Sequence, residues 1–185
     1  MLRWLKKQTE IGRRAEELYG SVVAAARQPA FYGAIGVPDT PEGRFELIVL
    51  HLFLALQGSL GSPAEAEILR QRTIEVFVTD MDDCMREMGV GDLAVPKKVK
   101  RAAAAFYERA TVYQRLIAGE ADEHSIALYI FPGASDREDA SRLLAHYVRR
   151  ASAALDVEPF DHWVECGASR KLLDETIAMT GKVQT

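Results

Sequence analysis

Residues 64–88 read AEAEILRQRTIEVFVTDMDDCMREM. Within them Ile74, Phe77, Met81, Met85 and Met88 recur at spacings of three and four, so one helical stripe carries all five, with Glu75, Thr79, Asp82, Asp83 and Arg86 opposite. A strand would alternate apolar and polar residues with a period of two instead. Residues 96–118, PKKVKRAAAAFYERATVYQRLIA, repeat the helical pattern with Val99, Ala103, Phe106, Ala110, Tyr113 and Ile117. Both stretches stop at a glycine, Gly89 and Gly119, the residue that takes the left-handed conformation of a helix C-terminus without side-chain strain.

Outward from this pair, glycine and proline cut the chain into helix-sized pieces at Gly33–Pro41, Gly58–Pro63, Gly89–Asp92, Gly119, Pro132–Gly133 and Pro159. Start signals agree with helices. Thr40 before Pro41 offers an N-cap and a first-turn proline, and Ser62…Glu65 and Ser135…Glu138 have the capping-box spacing. Leu47 to Leu56 is apolar almost all round, which marks a central buried helix. The expected fold is an all-α single globular domain of six to eight helices, with an amphipathic N-terminal helix region over 1–30 and a helical domain over 31–180. Ile126–Ile130, within His124–Phe131, fits a short strand as well as a helix, and Gly181–Thr185 is expected to fray.

Composition narrows the functional classes. The chain has 185 residues, 48% hydrophobic and 27% charged, enough for a core that needs no disulfide or metal staple. Its net charge of -4 is arranged in blocks: +3 over 1–30, -7 over 31–95, +5 over 96–118 and -5 over 119–185. This argues against a uniformly basic nucleic-acid binder, and no DNA partner is expected. Two isolated cysteines, Cys84 and Cys166, build neither a disulfide framework nor a zinc ribbon, which fits a reducing compartment. The longest apolar run falls well short of the ~20 residues of a membrane span, and no secretory h-region follows the basic start.

No constellation for catalysis stands out. The sequence has no G-x-S-x-G, P-loop, G-x-G-x-x-G or H-E-x-x-H pattern, so no catalytic residue, metal or cofactor is expected. His51, inside the apolar helix, reads as a hydrogen-bonded core residue, with a haem or metal ligand as the alternative. Asp80, Asp82 and Asp83, with Glu87 a turn later, read as a solvated acidic face, with a metal or acid–base carboxylate site as the alternative, and Cys84 as a structural thiol. Lys97, Lys98, Lys100 and Arg101 crowd a helix N-terminus, where the macrodipole makes cations unfavourable by about 0.3–1 kcal/mol each. Something acidic should answer them: either the preceding acidic helix folding back, or an external anionic partner. Trp4, Lys6 and Lys7 belong to a segment that is either a surface helix of the domain or a helix lying on an anionic bilayer.

Two blocks carry a family resemblance. Phe31-Tyr32, Gly36-Val37-Pro38-Asp39-Thr40 and Gly43 to Leu56 form the first. Phe77-Val78-Thr79-Asp80-Met81-Asp82, Arg86 to Leu93, Val95 to Lys100 and Ala105-Phe106-Tyr107 form the second. Together they resemble the ubiquinol-cytochrome c chaperone family, with one departure: Glu108 stands in Phe106-Tyr107-Glu108-Arg109 where the family pattern has glycine.

The resemblance implies a non-enzymatic assembly factor for ubiquinol-cytochrome c reductase, binding newly made cytochrome b. Mitochondrial relatives work at the matrix side of the inner membrane, near the ribosome exit, with a small partner protein. The absence of a transit peptide suggests a bacterial-type member, cytoplasmic and peripheral to the inner membrane, for which the small partner is an open question. On this reading Lys97, Lys98, Lys100 and Arg101 dock to the ribosome, to anionic membrane or to acidic client loops. Asp80, Asp82 and Asp83 orient those lysines or bind a partner. Met81, Met85, Met88, Phe106 and Tyr107 are the client-contact candidates, methionine being an adaptable contact residue, and the methionines' alternative is core packing. Trp4, Lys6 and Lys7 are the membrane-surface candidates of the second functional reading, a peripheral anionic-lipid-binding helical domain.

Overall fold

The computed structural model describes residues 2–132 and 137–179, with side chains described from Thr9 onward. Every regular element among them is helical. Six longer helices, α1 (Leu2–Ala26), α3 (Pro41–Gln57), α4 (Pro63–Glu87), α5 (Val95–Ile117), α7 (Glu138–Leu155) and α9 (Ala168–Ala178), are joined by three short ones. These are α2 (Pro29–Gly33), α6 (His124–Ile130) and α8 (Phe160–Glu165). The all-α expectation holds, and the ambiguous segment after His124 is a helix. Its Ile126, Ala127 and Ile130 fall on one buried helical face, and its last turn closes through Phe131 N–H to the Ala127 carbonyl. The expected capping at Ser135 and the fraying of Gly181–Thr185 fall outside the described residues.

The chain forms two compact units. Unit 1 comprises residues 1–20 and 60–108, and unit 2 residues 21–59 and 109–185.

Unit 1 packs Ile11, Ala15, Leu18 and Tyr19 of α1 with Leu69, Phe77 and Met81 of α4 and Val95, Ala102 and Phe106 of α5, all buried. Phe77 is the hub, with ring centroids 6.3 Å from Tyr19 and 6.2 Å from Phe106. The buried line of α4 includes Thr73, which is fully enclosed because its hydroxyl donates to the Leu69 carbonyl one turn back, at 2.8 Å. The expected stripe on α4 therefore holds at Phe77 and Met81, while Met85 is only half-buried and Met88 is 60% exposed.

Unit 2 is organised around α3. From Leu47 to Leu56 all residues except Ile48 are buried, so this helix is enclosed on nearly every side. Helices α6, α7 and α8 pack on it. Its start is set locally: the Thr40 Oγ1 accepts from the Gly43 N–H at 3.2 Å, and Pro41 opens the first turn. Ser62 caps differently from expectation. Its hydroxyl donates to the Glu65 carboxylate at 3.0 Å and makes no bond to the backbone of α4. At the other ends the glycine signals hold: Gly89 and Gly119 have φ of 77° and 76°. The Val90 and Glu120 N–H groups reach back to the Met85 and Arg115 carbonyls, closing the Schellman pattern.

Gly43 is constrained by space. A Cβ at this position would stand 2.0 Å from the Pro38 carbonyl oxygen, a backbone atom that cannot rotate away. Gly43→Ala is expected to destabilise unit 2 by about 1–3 kcal/mol. In thermal unfolding this lowers the midpoint by roughly 2–4 °C per kcal/mol for a chain of this size. Gly33→Ala, where a Cβ meets nothing within 4 Å, serves as the control and leaves the midpoint near wild type.

Candidate functional site

The connection between α4 and α5 collects the features that the sequence singled out. Arg86, in the last turn of α4, donates from Nε to Asp82 at 2.5 Å and from Nη1 to Asp92 at 2.6 Å. Asp82 and Asp92 are thus engaged by one guanidinium. Asp80 accepts from the Tyr19 hydroxyl at 2.6 Å, and with Asp83 it lines an open groove of about 440 Å³ beside Gly12, Ala15 and Val76.

None of this acid reaches the basic turn. Lys97, Lys98, Lys100 and Arg101 are all exposed, and among the described residues no carboxylate pairs with any of them. Among the described residues the acidic helix makes no direct ion pair with the lysines: Asp82 pairs with Arg86 and Asp80 accepts from Tyr19 instead. Four cations stand open to solvent near the start of α5, and the two in its first turn, Lys97 and Lys98, are disfavoured by the macrodipole.

Apolar side chains accompany them. Leu93 is 99% exposed just before α5, and Met88 is exposed just after α4. Tyr107, further along α5, is also exposed, whereas Met81 and Phe106 are buried and contribute packing rather than surface. Of the client-contact candidates, Met88 and Tyr107 present most of their area and Met85 presents part of it. The side chains of Trp4, Lys6 and Lys7 lie outside the described residues.

His51 is fully buried. Its Nδ1 donates to the Leu47 carbonyl at 2.7 Å, which leaves Nε2 to accept from the Tyr147 hydroxyl at 3.0 Å. Phe31 meets both rings edge-on, with centroids at 5.2 and 5.3 Å. Both imidazole nitrogens are occupied, so neither is available to a haem or metal. Burial pushes the imidazole down to about 4 and holds the Tyr147 phenol above its ordinary value.

One buried group escaped the sequence reading. Glu46 on α3 forms a forked pair with Arg109 on α5: Nη2 to Oε1 at 2.9 Å and Nε to Oε2 at 3.0 Å, with side chains only 8% and 16% exposed. The Arg109 guanidinium also lies 4.3 Å over the Tyr129 ring. The signal was present in the spacing. Val95, Val99, Ala102, Phe106, Arg109, Tyr113 and Leu116 alternate by four and three, and Arg109 occupies a seam position. The expected stripe slid instead to Ala103, Ala110 and Ile117, which are only half-buried.

The sequence model of the ubiquinol-cytochrome C chaperone family matches residues 33–163, well over half of the chain. The chain belongs to this family. Its structure is similar to the crystal structure of the Cbp3 homolog from Brucella abortus, with 34% sequence identity and a TM-score of 0.73, over 84% of this chain and 88% of that one. No curated protein matches the chain. The matched residues of the chaperone family include the whole α4–α5 connection and the Glu46–Arg109 pair, but stop short of Cys166. No helix among the described residues is long and apolar enough to cross a membrane.

Two measurements check this geometry. Glu46→Leu removes the forked carboxylate partner of the largely buried Arg109, and is expected to cost about 3–5 kcal/mol in denaturant unfolding. Glu46→Leu combined with Arg109→Met costs clearly less. For His51, the unfolded imidazole takes a proton near its ordinary value of 6.5 while the folded one resists until about 4. Its share of stability is therefore intact above pH 6.5 and falls by about 3 kcal/mol as the pH drops to 4. His51→Gln removes that share of the slope in unfolding measured across this window.

Proposed function

We propose that the protein is a non-enzymatic assembly chaperone for ubiquinol-cytochrome c reductase that holds newly made cytochrome b and docks through the α4–α5 turn on an anionic surface. Membership of the chaperone family supports the assembly role. The observation that carries the docking site is the set of four exposed cations without a carboxylate partner, set beside exposed Leu93 and Met88. An anionic partner removes the unfavourable placement of charge at the start of α5, and the flanking apolar groups give it something to bury. Candidate surfaces are the ribosome exit region, acidic loops of the client and the inner leaflet of the membrane. On this reading the protein works in the cytoplasm at the periphery of the inner membrane.

A second reading, peripheral binding to anionic lipid without a client, draws on Leu93. A nearly fully exposed leucine four residues before the lysines that open α5 supplies the apolar and cationic groups with which a surface inserts shallowly below lipid headgroups.

The decisive experiment is the reduced-minus-oxidised spectrum of membranes from a deletion strain. Loss of the cytochrome b signal, restored by wild type and not by the variant with Lys97, Lys98, Lys100 and Arg101 changed to Glu, is the expected result. Unchanged cytochrome b in the deletion strain would overturn the chaperone reading. For the lipid reading, changing the four cations to Ala weakens binding to phosphatidylserine vesicles by roughly 10³-fold, at about 1 kcal/mol per cation. Equal binding by wild type and variant would exclude it.

A further inference from the structure

Helix α8 is one and a half turns long, and its Phe160 and Trp163 are buried in unit 2. The opposite side of the same segment brings three different donor types together. Glu158 precedes the helix, His162 lies within it and Cys166 occupies its C-cap, at successive spacings of four. His162 Nδ1 is 2.6 Å from Glu158 Oε1, and Cys166 Sγ is 3.8 Å from the same oxygen. All three donor atoms lie within 4.8 Å of one another.

We infer that Glu158, His162 and Cys166 form a binding site for a borderline-soft divalent cation of the zinc class. The donor set selects the class. A thiolate with an imidazole favours zinc and similar transition metals over magnesium or calcium, which take oxygen ligands. The dimensions fit as well. Zinc bonds of ~2.0–2.3 Å in a tetrahedron place ligand atoms about 3.3–3.8 Å apart. The sulfur–oxygen separation is already in that range, and the nitrogen–oxygen separation needs to open by about 0.7 Å, within reach of side-chain rotation at a surface where the imidazole is 67% exposed.

The backbone holds the three in place. The Trp163 N–H donates to the Pro159 carbonyl at 3.0 Å and the Cys166 N–H to the His162 carbonyl at 2.9 Å, and Gly167, at φ 80°, turns the chain directly into α9. Three protein ligands leave the fourth position to water or to a group from a partner, the open arrangement of non-structural zinc sites. Coordination through Nδ1 places the imidazole N–H on Nε2, and binding releases the thiol proton of Cys166 to solvent, so affinity falls with falling pH.

Cobalt(II) titration of the full, reduced protein tests it. The expected result is one cobalt per chain with a thiolate-to-cobalt charge-transfer band, which added zinc abolishes. Cys166→Ser loses the band, Glu158→Gln and His162→Gln each weaken binding roughly ten-fold or more, and Cys84→Ser keeps the wild-type titration. The three ligands lie at the surface, so the variants retain wild-type helical circular dichroism; should Cys166→Ser not do so, Cys166→Ala takes its place. Absence of a thiolate band in the wild type, its survival in the Cys166 variant, or unchanged affinity in both Glu158→Gln and His162→Gln would overturn the proposal.

Discussion

Helix α3 cannot be left uncovered on any side, and the arrangement of unit 2 follows from that constraint. A surface helix hides one stripe, but here Leu47, Val49, Leu50, Leu52, Phe53, Leu54 and Ala55 point in every direction around the axis and are all buried. Enclosure of that kind removes water from any polar side chain on the same helix. Glu46 and His51 meet this in opposite ways. The carboxylate stays next to a guanidinium that forks onto both its oxygens, and the imidazole gives up its charge and is satisfied as a neutral ring by one carbonyl and one hydroxyl. Each solution ties α3 to a distant element, α5 in one case and α7 in the other.

Much of this architecture was legible in the chain. Apolar spacing, the Thr40–Pro41 start and the glycine stops at Gly89 and Gly119 locate the helices because those signals act within a few residues of one another. What failed did so where a residue's state depends on a distant partner. Arg109 looks like a surface residue until Glu46 is beside it, and discounting it displaced the buried stripe of α5 by one position toward Ala103, Ala110 and Ile117. Thr73 was passed over for Ile74, although its hydroxyl is satisfied by its own helix. At the α4–α5 turn the charge pattern was readable, but not the answer to it, because Arg86 takes both Asp82 and Asp92 and leaves the lysines unpaired. Glu158, His162 and Cys166 were missed because Pro159 separates the first from the helix carrying the others, and no familiar motif has that form.

The α4–α5 turn and the core of unit 2 show two uses of unfavourable electrostatics. In the core the desolvated charge of Arg109 is neutralised within the chain, which fixes the geometry. At the turn a similar accumulation of cations is left unneutralised at the point where a helix dipole opposes it, which leaves free energy available to whatever anionic group arrives. Contacts to such exposed cations are weakened by screening and by competing ions, so the interaction proposed above would be readily reversible.

Chain order adds a temporal dimension to the enclosure of α3. His51 waits for Tyr147, 96 positions later in the sequence, and Glu46 for Arg109, 63 positions later. During synthesis at roughly 5–20 residues per second, on the order of 5–20 s separates the emergence of this strongly apolar helix from that of the residue that completes its hydrogen bonding. Residues 60–108, which belong to unit 1, emerge within that interval. The protein thus begins its own life with a strongly apolar helix exposed, and neither of its units can be expressed as an uninterrupted fragment.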